Sequence, residues 1–493
     1  MQNRRDQVQA YRFVVARLNS GLLRGDPDAA EPPARRTDRG IVLGGVLAVV
    51  LGAGSLVWGV ISPGGAVGWR DGQSLVVEKD TGARYLYDGD ALRPIRNYAS
   101  ARLLIGAGLK TQTVSPESLR GTAHGDPIGI DGAPDDLPEA GSLGSTAWQV
   151  CGGSEITDSG AKKGLTTLVV DSRLRGASLA DGVLVQDEHS ALYLVWHANR
   201  YRLSAGRSAA TALGYGAAEP LPVSAAFLDA VPAGADLAAP AVSGQGQPGP
   251  HLDGTPTRTG QVFVVRTPGT DQQYYLLLRS GLTPLTTTQA ALALGSAETR
   301  EKAYAGKAPT ALPLSSDMLD RHTAPRSDDE AAAVQRVGAA LPSVPPSVTT
   351  MPADEDLCLN VTPHGDEGTG VELVTVPAAA VEEGATAPAR ALAAPCLAVD
   401  AVSVPVGGGS LVRALGTTGS ELGDTTYLVT DTGQKYRVTS AADAAALGYT
   451  LDQAQKLPSP LLDMLPTGPD LSAAAARAGR GEASGTARCS SRP

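Results

Sequence analysis

The chain has 493 residues, a formal net charge of −10 and a pI near 5.2, a balance that argues against nucleic acid or an anionic membrane surface as the partner of its bulk. Aromatic residues make up only 4% while glycine (58) and proline (35) are abundant, which excludes an architecture of long packed helices and favours short elements joined by turns. At about 150 residues per domain the length allows roughly three domains.

In residues 7–23, QVQAYRFVVARLNSGLL, the apolar positions Val8, Tyr11, Val14, Val15, Leu18 and Leu22 recur at helical spacing, with Arg12 and Arg17 on the polar side. Gly25 followed by Asp26-Pro27 ends this helix. Residues 27–38 read as a Pro-rich tether without a core, so residues 1–40 form a cytosolic foot of amphipathic helix plus tether. A lone helix of this size cannot bury its own apolar stripe. Its modest basic content favours docking on subunits of a membrane machine over lying on the inner leaflet.

Residues 41–61, IVLGGVLAVVLGAGSLVWGVI, carry no charge and as a helix span roughly 30 Å, the hydrocarbon thickness of a bilayer. No polar face interrupts them, as one would in a buried soluble helix. A cleaved secretory leader is the competing reading. Against it stand the forty residues in front, the length of the run and the lack of a small-x-small cleavage pattern before Trp69. Residues 41–62 are therefore expected to be a single transmembrane helix. Arg24, Arg35, Arg36 and Arg39 precede the span and the first basic residue after it is Arg70, past Pro63-Gly64-Gly65. Basic residues stay on the cytoplasmic side, which puts the foot inside and the body outside. Gly40, Gly44, Ala48 and Gly52 recur at four-residue steps, a small-residue ridge along which another helix can pack.

Beyond the span four segments resemble one another. SLVVEKDTGARYLYDGDALRPI (74–95) precedes ASARLLIG ending at Gly106, and TYLVTDTGQKYRV (426–438) precedes SAADAAALG ending at Gly448. Both place Asp-Thr-Gly between alternating apolar runs, a hairpin signal. Between them, residues 183–196 lead to AATALG ending at Gly214 and residues 262–278 to AALALG ending at Gly295. Each hairpin is followed by a short helix closed by glycine, the usual left-handed helix end. Three units then carry a Leu-Pro pair (Leu221-Pro222, Leu312-Pro313, Leu457-Pro458), read as proline leading a second short helix. The expected units are 68–125, 181–240, 255–330 and 405–471, with a tail at 472–493 expected to be disordered. Their spacing is unequal, so this is not a solenoid.

Residues 126–180 and 341–404 do not fit the unit, and a central domain built from both stretches explains their placement. All four cysteines, Cys151, Cys358, Cys396 and Cys489, lie beyond the span, and no C-x-x-C pattern points to zinc. In an oxidising compartment a disulfide is the default. A bridge between Cys151 and Cys358 would clamp the central domain, with Cys396 as the competing partner.

The foot QVQAYRFVVARLNSGLLRGDP, the span, the four repeats and VPVGGGSLVRA (404–414, containing Arg413) together resemble the EccB family, core membrane subunits of actinobacterial type VII (ESX) secretion systems. Leu92-Arg93-Pro94-Ile95, Asn97 and Ser100-Ala101-Arg102-Leu103 are similar to that family's first repeat. The resemblance implies a scaffold in an inner-membrane complex with EccC, EccD and EccE, self-association within it, and a disulfide that Cys151 and Cys358 match best. It also implies an α+β fold: a single-pass anchor, then a β-rich extracytoplasmic body with a central domain and four peptidoglycan-binding-like, hairpin-plus-helix repeat domains.

ATP hydrolysis has been suggested for that family, but the chemistry it needs is hard to find in these residues. A phosphate-cradling G-x-x-x-x-G-K-[ST] is missing, because Gly306-Lys307 is followed by Ala308 and lacks the upstream glycine. Gly244-Gln245-Gly246-Gln247-Pro248-Gly249 fits G-x-G-x-x-G in a Pro/Gly linker with no strand before it. His124, His189, His197, His251, His322 and His364 lack metal-ligand spacing, and the runs Asp328-Asp329-Glu330 and Asp354-Glu355-Asp356 read as solvated loop faces. Asn360-Val361-Thr362 is a formal glycosylation sequon with a high false-positive rate. No catalytic, cofactor-binding or metal site is expected. The leading reading is a structural subunit of a protein-export channel; the alternatives are a membrane-anchored extracytoplasmic ATPase or hydrolase, or an anchor to peptidoglycan.

Overall fold

A computed structural model describes residues 4–25, 35–61, 67–269, 271–364, 368–416 and 421–483. Cys489, the 63–65 hinge and most of the proposed tether lie outside the described residues. The chain divides into two compact units, residues 1–92 with 110–125, and residues 93–109 with 126–493.

The first unit holds two long helices, Arg4–Arg24 and Arg35–Ile61. The second begins earlier than the apolar run: once past Pro32-Pro33, the polar residues 35–39 contain no proline or glycine and extend it backwards, shortening the expected tether. The same unit contains a five-stranded sheet in the order Lys110–Val114, Ser74–Glu78, Arg84–Tyr87, Ala91–Pro94, Ala123–His124. The hairpin turns through Gly82 at φ +72°, a conformation that glycine adopts without Cβ strain. Trp69, Val76, Leu92, Val114 and Leu119 form its core, with Trp69 edge-on to Tyr87 at 5.4 Å.

The second unit is built on a six-stranded sheet in the order Ala401–Ser403, Lys162–Val169, Trp148–Ile156, Glu355–Pro363, Thr369–Pro377, Ala177–Ser178. Its strands come from two stretches far apart in sequence, joined by the pairing of Trp148–Val361 through Gly152–Leu357. Cys151 and Cys358 face each other in this ladder and are disulfide-bonded, with Cα atoms 4.0 Å apart and 207 residues between them. By loop-closure entropy, a bridge closing so long a segment contributes up to about 5 kcal/mol. Cys396 is also disulfide-bonded, so it does not compete for Cys151.

Three smaller sheets share one plan. Leu192–Trp196 pairs antiparallel with Gly182–Gln186 and Asn199–Arg202; Gln273–Leu278 does so with Val262–Val265 and Gly281–Leu285; Glu421–Thr430 does so with Gly409–Leu415 and Lys435–Val438. A short parallel strand containing the Leu-Pro pair closes each: Leu221–Pro222, Leu312–Pro313 and Gln455–Pro458. This corrects the expectation for Pro222 and Pro313, whereas Pro458 also stands directly before the helix Ser459–Asp463, as expected. Pro222 and Pro313 sit on edge strands, where a missing N–H costs no ladder bond, and the following helices are capped by Ser224 and Ser315.

The helices after the hairpins pack in pairs. Tyr98–Ile105 lies against Ala441–Leu447, where Arg102 Nη2 donates to the Leu447 carbonyl at 2.9 Å. Arg207–Ala212 lies against Thr287–Gly295. Gly214 and Gly448 take the left-handed end, but Gly295 does not. It is a contact glycine instead: a Cβ there would stand 2.2 Å from Ala212 Cβ.

Two further expectations fail. The Gly244–Gly249 stretch, expected to lie in a linker, runs into the hairpin Pro248–Leu252 with Thr255–Arg258. The proposed disordered tail contains a helix, Ala473–Ala478, capped by Ser472 and packed on Tyr98–Ile105 with Ala476 fully buried. Alanine there is the contact residue, and composition alone hides that use.

Candidate functional site

The N-terminal helices expose what a folded chain normally hides. On Arg4–Arg24, Tyr11 (72% exposed), Leu18 (59%) and Leu22 (81%) form one stripe. The span from Arg39 to Trp58 has none of its residues buried. Ser55, its only hydroxyl in that stretch, donates back to the Leu51 and Gly52 carbonyls at 2.9 Å, so it adds no unsatisfied polar group. Gly40, Gly44, Ala48 and Gly52 lie on this helix at four-residue steps, rising about 18 Å in all. A Cβ built on Gly40, Gly44 or Gly52 meets nothing within 4 Å. Among the described residues nothing covers these positions.

The residues that resembled chemistry are accounted for by folding. In the Gly244–Gly249 loop, Gly246 N–H donates to the Thr259 carbonyl at 2.8 Å and Gln247 N–H to Gly244 at 3.1 Å. A Cβ on Gly246 would stand 2.5 Å from the Lys302 carbonyl oxygen, so this glycine permits a close backbone approach. The loop leads into a strand, not a helix, and the amides of Gly246 and Gln247 are already bonded. A phosphate cradle needs those amides free. Likewise Gly306 N–H donates to Arg300 and Lys307 N–H to Tyr304, closing a turn.

The acidic runs are not the solvated loops expected. Asp328 caps the helix Asp329–Ala339, accepting from Ala331 N–H at 2.7 Å, and Glu330 accepts from Ser243 N–H at 2.6 Å. Asp356 lies in the central strand Glu355–Pro363, half-buried, and burial together with the nearby Glu382 raises its pKa to about 6. Lys435 is buried against Tyr427, its Nζ donating to the Leu462 carbonyl, and desolvation lowers its pKa to about 8. His197 stacks on Trp196 at 3.8 Å, and His124 is edge-on to Tyr85 at 5.7 Å. Among the described residues no three His, Cys, Asp or Glu side chains converge as metal ligands.

The motif residues of the first repeat act as joints. Asn97 accepts from Ser100 N–H at 3.0 Å to cap its helix, while its Nδ2 donates to the Ile130 carbonyl at 2.6 Å. Ser100 Oγ accepts from Ile130 N–H at 2.8 Å. Arg413 sits in the ladder between Thr426 and Lys456. Sequence reasoning placed Asp356 only in a solvated acidic run and did not single out Lys435, because burial at a strand end leaves no local pattern.

Comparison with known proteins agrees with this picture of open helices and a structural body. The family described as "Type VII secretion system ESX-1, transport TM domain B" matches residues 2–484. The ESX-3 secretion system ATPase EccB3 of Mycobacterium tuberculosis is 30% identical over 305 residues, 58% of this chain and 55% of that relative, so the chain spans about half of its length in that match. EccB3 of Mycolicibacterium smegmatis is 26% identical over 486 residues, covering 95% of this chain and 89% of that protein. Among solved structures, a chain of an intact ESX-5 inner membrane complex superposes with a TM-score of 0.60 at 25% identity, over 97% of this chain and 95% of that one. A chain of the EccB3 dimer from the ESX-3 core complex, at 24% identity and a TM-score of 0.61 over 82% of this chain and 99% of that one, shares the fold.

Proposed function

The chain belongs to the EccB family of type VII secretion membrane proteins, and from that premise we propose that it is a structural core subunit of an ESX-type protein-export complex. The family and the apolar helix make it a membrane-anchored protein. The basic residues before the span favour an inside foot and an extracytoplasmic body. In this reading the foot and span assemble with EccC-, EccD- and EccE-type subunits and with further copies of this chain. The body, with its central sheet and four repeat domains, lines the vestibule of the export channel.

The observation that carries the proposal is the pair of N-terminal helices whose apolar surface the chain leaves uncovered, one with a ridge open to close helix contact. Lipid can cover the span, and for the stripe on the foot the modest basic content favours a protein over the inner leaflet. A partner protein explains both.

The relatives are named ATPases, which favours a second, enzymatic reading for them. For this chain we infer no nucleotide site, because in the loop nearest in pattern to a phosphate cradle the Gly246 and Gln247 amides are bonded to backbone carbonyls. Mild-detergent purification of the tagged chain from its native membranes, followed by mass spectrometry, tests the scaffold. Membrane partners should co-purify, and should be lost on deleting residues 7–23 or replacing 41–61. Recovery of the folded chain alone would overturn it.

A further inference from the structure

The central sheet ends on an incomplete edge. Strand Thr369–Pro377 pairs along its full length with Glu355–Pro363 on one side. On the other side only Ala177–Ser178 pairs with it, at Thr375 and Val374. Leu179 N–H donates to the Leu373 carbonyl at 3.0 Å, which identifies Leu373 as a residue whose backbone points outward. In an antiparallel ladder this direction alternates. Two bonds fix the phase independently: Ala378 N–H to Asp354 at 2.9 Å and His364 N–H to Gly368 at 2.8 Å put the even-numbered residues of this strand toward Glu355–Pro363. Val371 and Thr369 therefore direct their N–H and C=O outward, and neither has a backbone partner there among the described residues.

Beside this edge lies an apolar groove of about 440 Å³. Its floor is Leu359, Val361, Thr369 and Val371 of the central sheet; its walls are the Pro232 segment and the Pro458–Leu461 segment. The one charged pair at its rim, Arg200 and Asp229, is 3.3 Å apart and neutralises itself. The outward-pointing residues of the edge and the side chains lining the groove are the same two, Thr369 and Val371.

We infer that this edge and groove bind an extended, uncharged segment of another protein by strand addition, in line with Ala177–Ser178. Unpaired main-chain groups in a fixed row select a main-chain partner, which a lipid, sugar or small molecule does not offer. The apolar lining selects alternate β-branched or aliphatic side chains. The self-neutralised pair provides no counter-charge, so acidic and basic segments are disfavoured. Unblocked edges of this kind attract strands unless covered or charged.

The test uses the full chain in detergent and, as probe, a capped peptide of alternating valine and threonine. Hydrogen exchange of the Val371 and Thr369 amides should slow by about tenfold or more at saturating peptide. A peptide methylated on alternate backbone nitrogens should bind at least about tenfold more weakly, since it loses the ladder but keeps the side chains. Thr369→Pro, at an outward edge position where proline is tolerated, should weaken the unmodified peptide by a similar factor. Val371→Asp should do the same through the groove. No binding at millimolar peptide, binding indifferent to backbone methylation, or exchange unchanged at Val371 would overturn the inference. So would protection that appears without peptide and rises with protein concentration, which would assign the edge to a second copy of this chain.

Discussion

The span and the central sheet are both rich in glycine and aliphatic residues, yet they use them in opposite ways. In Arg35–Ile61 a Cβ on any of Gly40, Gly44, Gly45, Gly52 or Gly54 meets nothing, and the aliphatic side chains are exposed. In Trp148–Ile156 a Cβ on Gly152 would reach within 3.0 Å of the Phe227 ring, and Trp148 and Val150 are fully buried. The sheet's apolar residues are satisfied by its own chain. The helix's are left to lipid and other proteins, since none of the described residues covers them. Substitutions in the sheet should therefore be read in stability, and those in the span in assembly.

The largest expected effect is loss of the bridge. Replacing Cys151 and Cys358 together by alanine should lower the unfolding free energy of the body by about 5 kcal/mol, the loop-closure value for so long a segment, measured by denaturant titration with matched m-values. A change below about 1 kcal/mol would show that the ladder holds the two stretches together without it. Next comes Phe227→Ala, expected to cost about 3–5 kcal/mol because the ring is fully buried against Gly152 and joins the helix Ala225–Ala230 to the sheet. A neutral result in thermal unfolding would mean that the helix is not part of the sheet's core.

A smaller effect of opposite sign is expected at Asp356. Its folded pKa of about 6 lies above the ordinary 3.8, so the folded state binds the proton more tightly and is penalised as pH rises from about 4 through 6. Asp356→Asn should stabilise the body at pH 7.5 by on the order of 1 kcal/mol, allowing for partial screening, and leave it unchanged below pH 4. Equal effects at both pH values would refute burial as the cause. Lys435 has the reverse sign: with its pKa lowered to about 8, it should let stability rise between about pH 8 and 10.5. The smallest stability effect belongs to the span. Gly44→Leu with Ala48→Leu should move the body's melting midpoint by less than about 1 °C while abolishing co-purification of membrane partners.

Much of the architecture was legible because it rests on periodicity. Val8 to Leu22 mark the foot, the uncharged run marks the span, and alternation around Asp-Thr-Gly marks the hairpins, the second turning at Gly433 with φ +70°. What escaped is what only tertiary packing decides. Leu221–Pro222 and Leu312–Pro313 are strands because they pair, not because two residues carry a period. Gly295 ends its helix as read, but without the left-handed turn, and it is also the contact point for Ala212. Ala473–Ala478 looked like a loose tail and is a packed helix, since alanine serves both uses. For the open surfaces the sequence showed the small-residue ridge of the span, but the free edge at Thr369 and Val371 follows from hydrogen-bond phase, which no residue pattern encodes.

The central contrast is tested most directly by single cysteines placed in the span and cross-linked in native membranes. Gly44→Cys and Ala48→Cys lie on the small-residue ridge, and Val46→Cys about half a turn away on the opposite face. Adducts to other membrane proteins at 44 and 48, with Val46→Cys reached mainly by a lipophilic thiol reagent, are the predicted result. Equal labelling by lipid-phase reagent at all three positions, with no protein adducts, would show that the span is only an anchor and contradict the account.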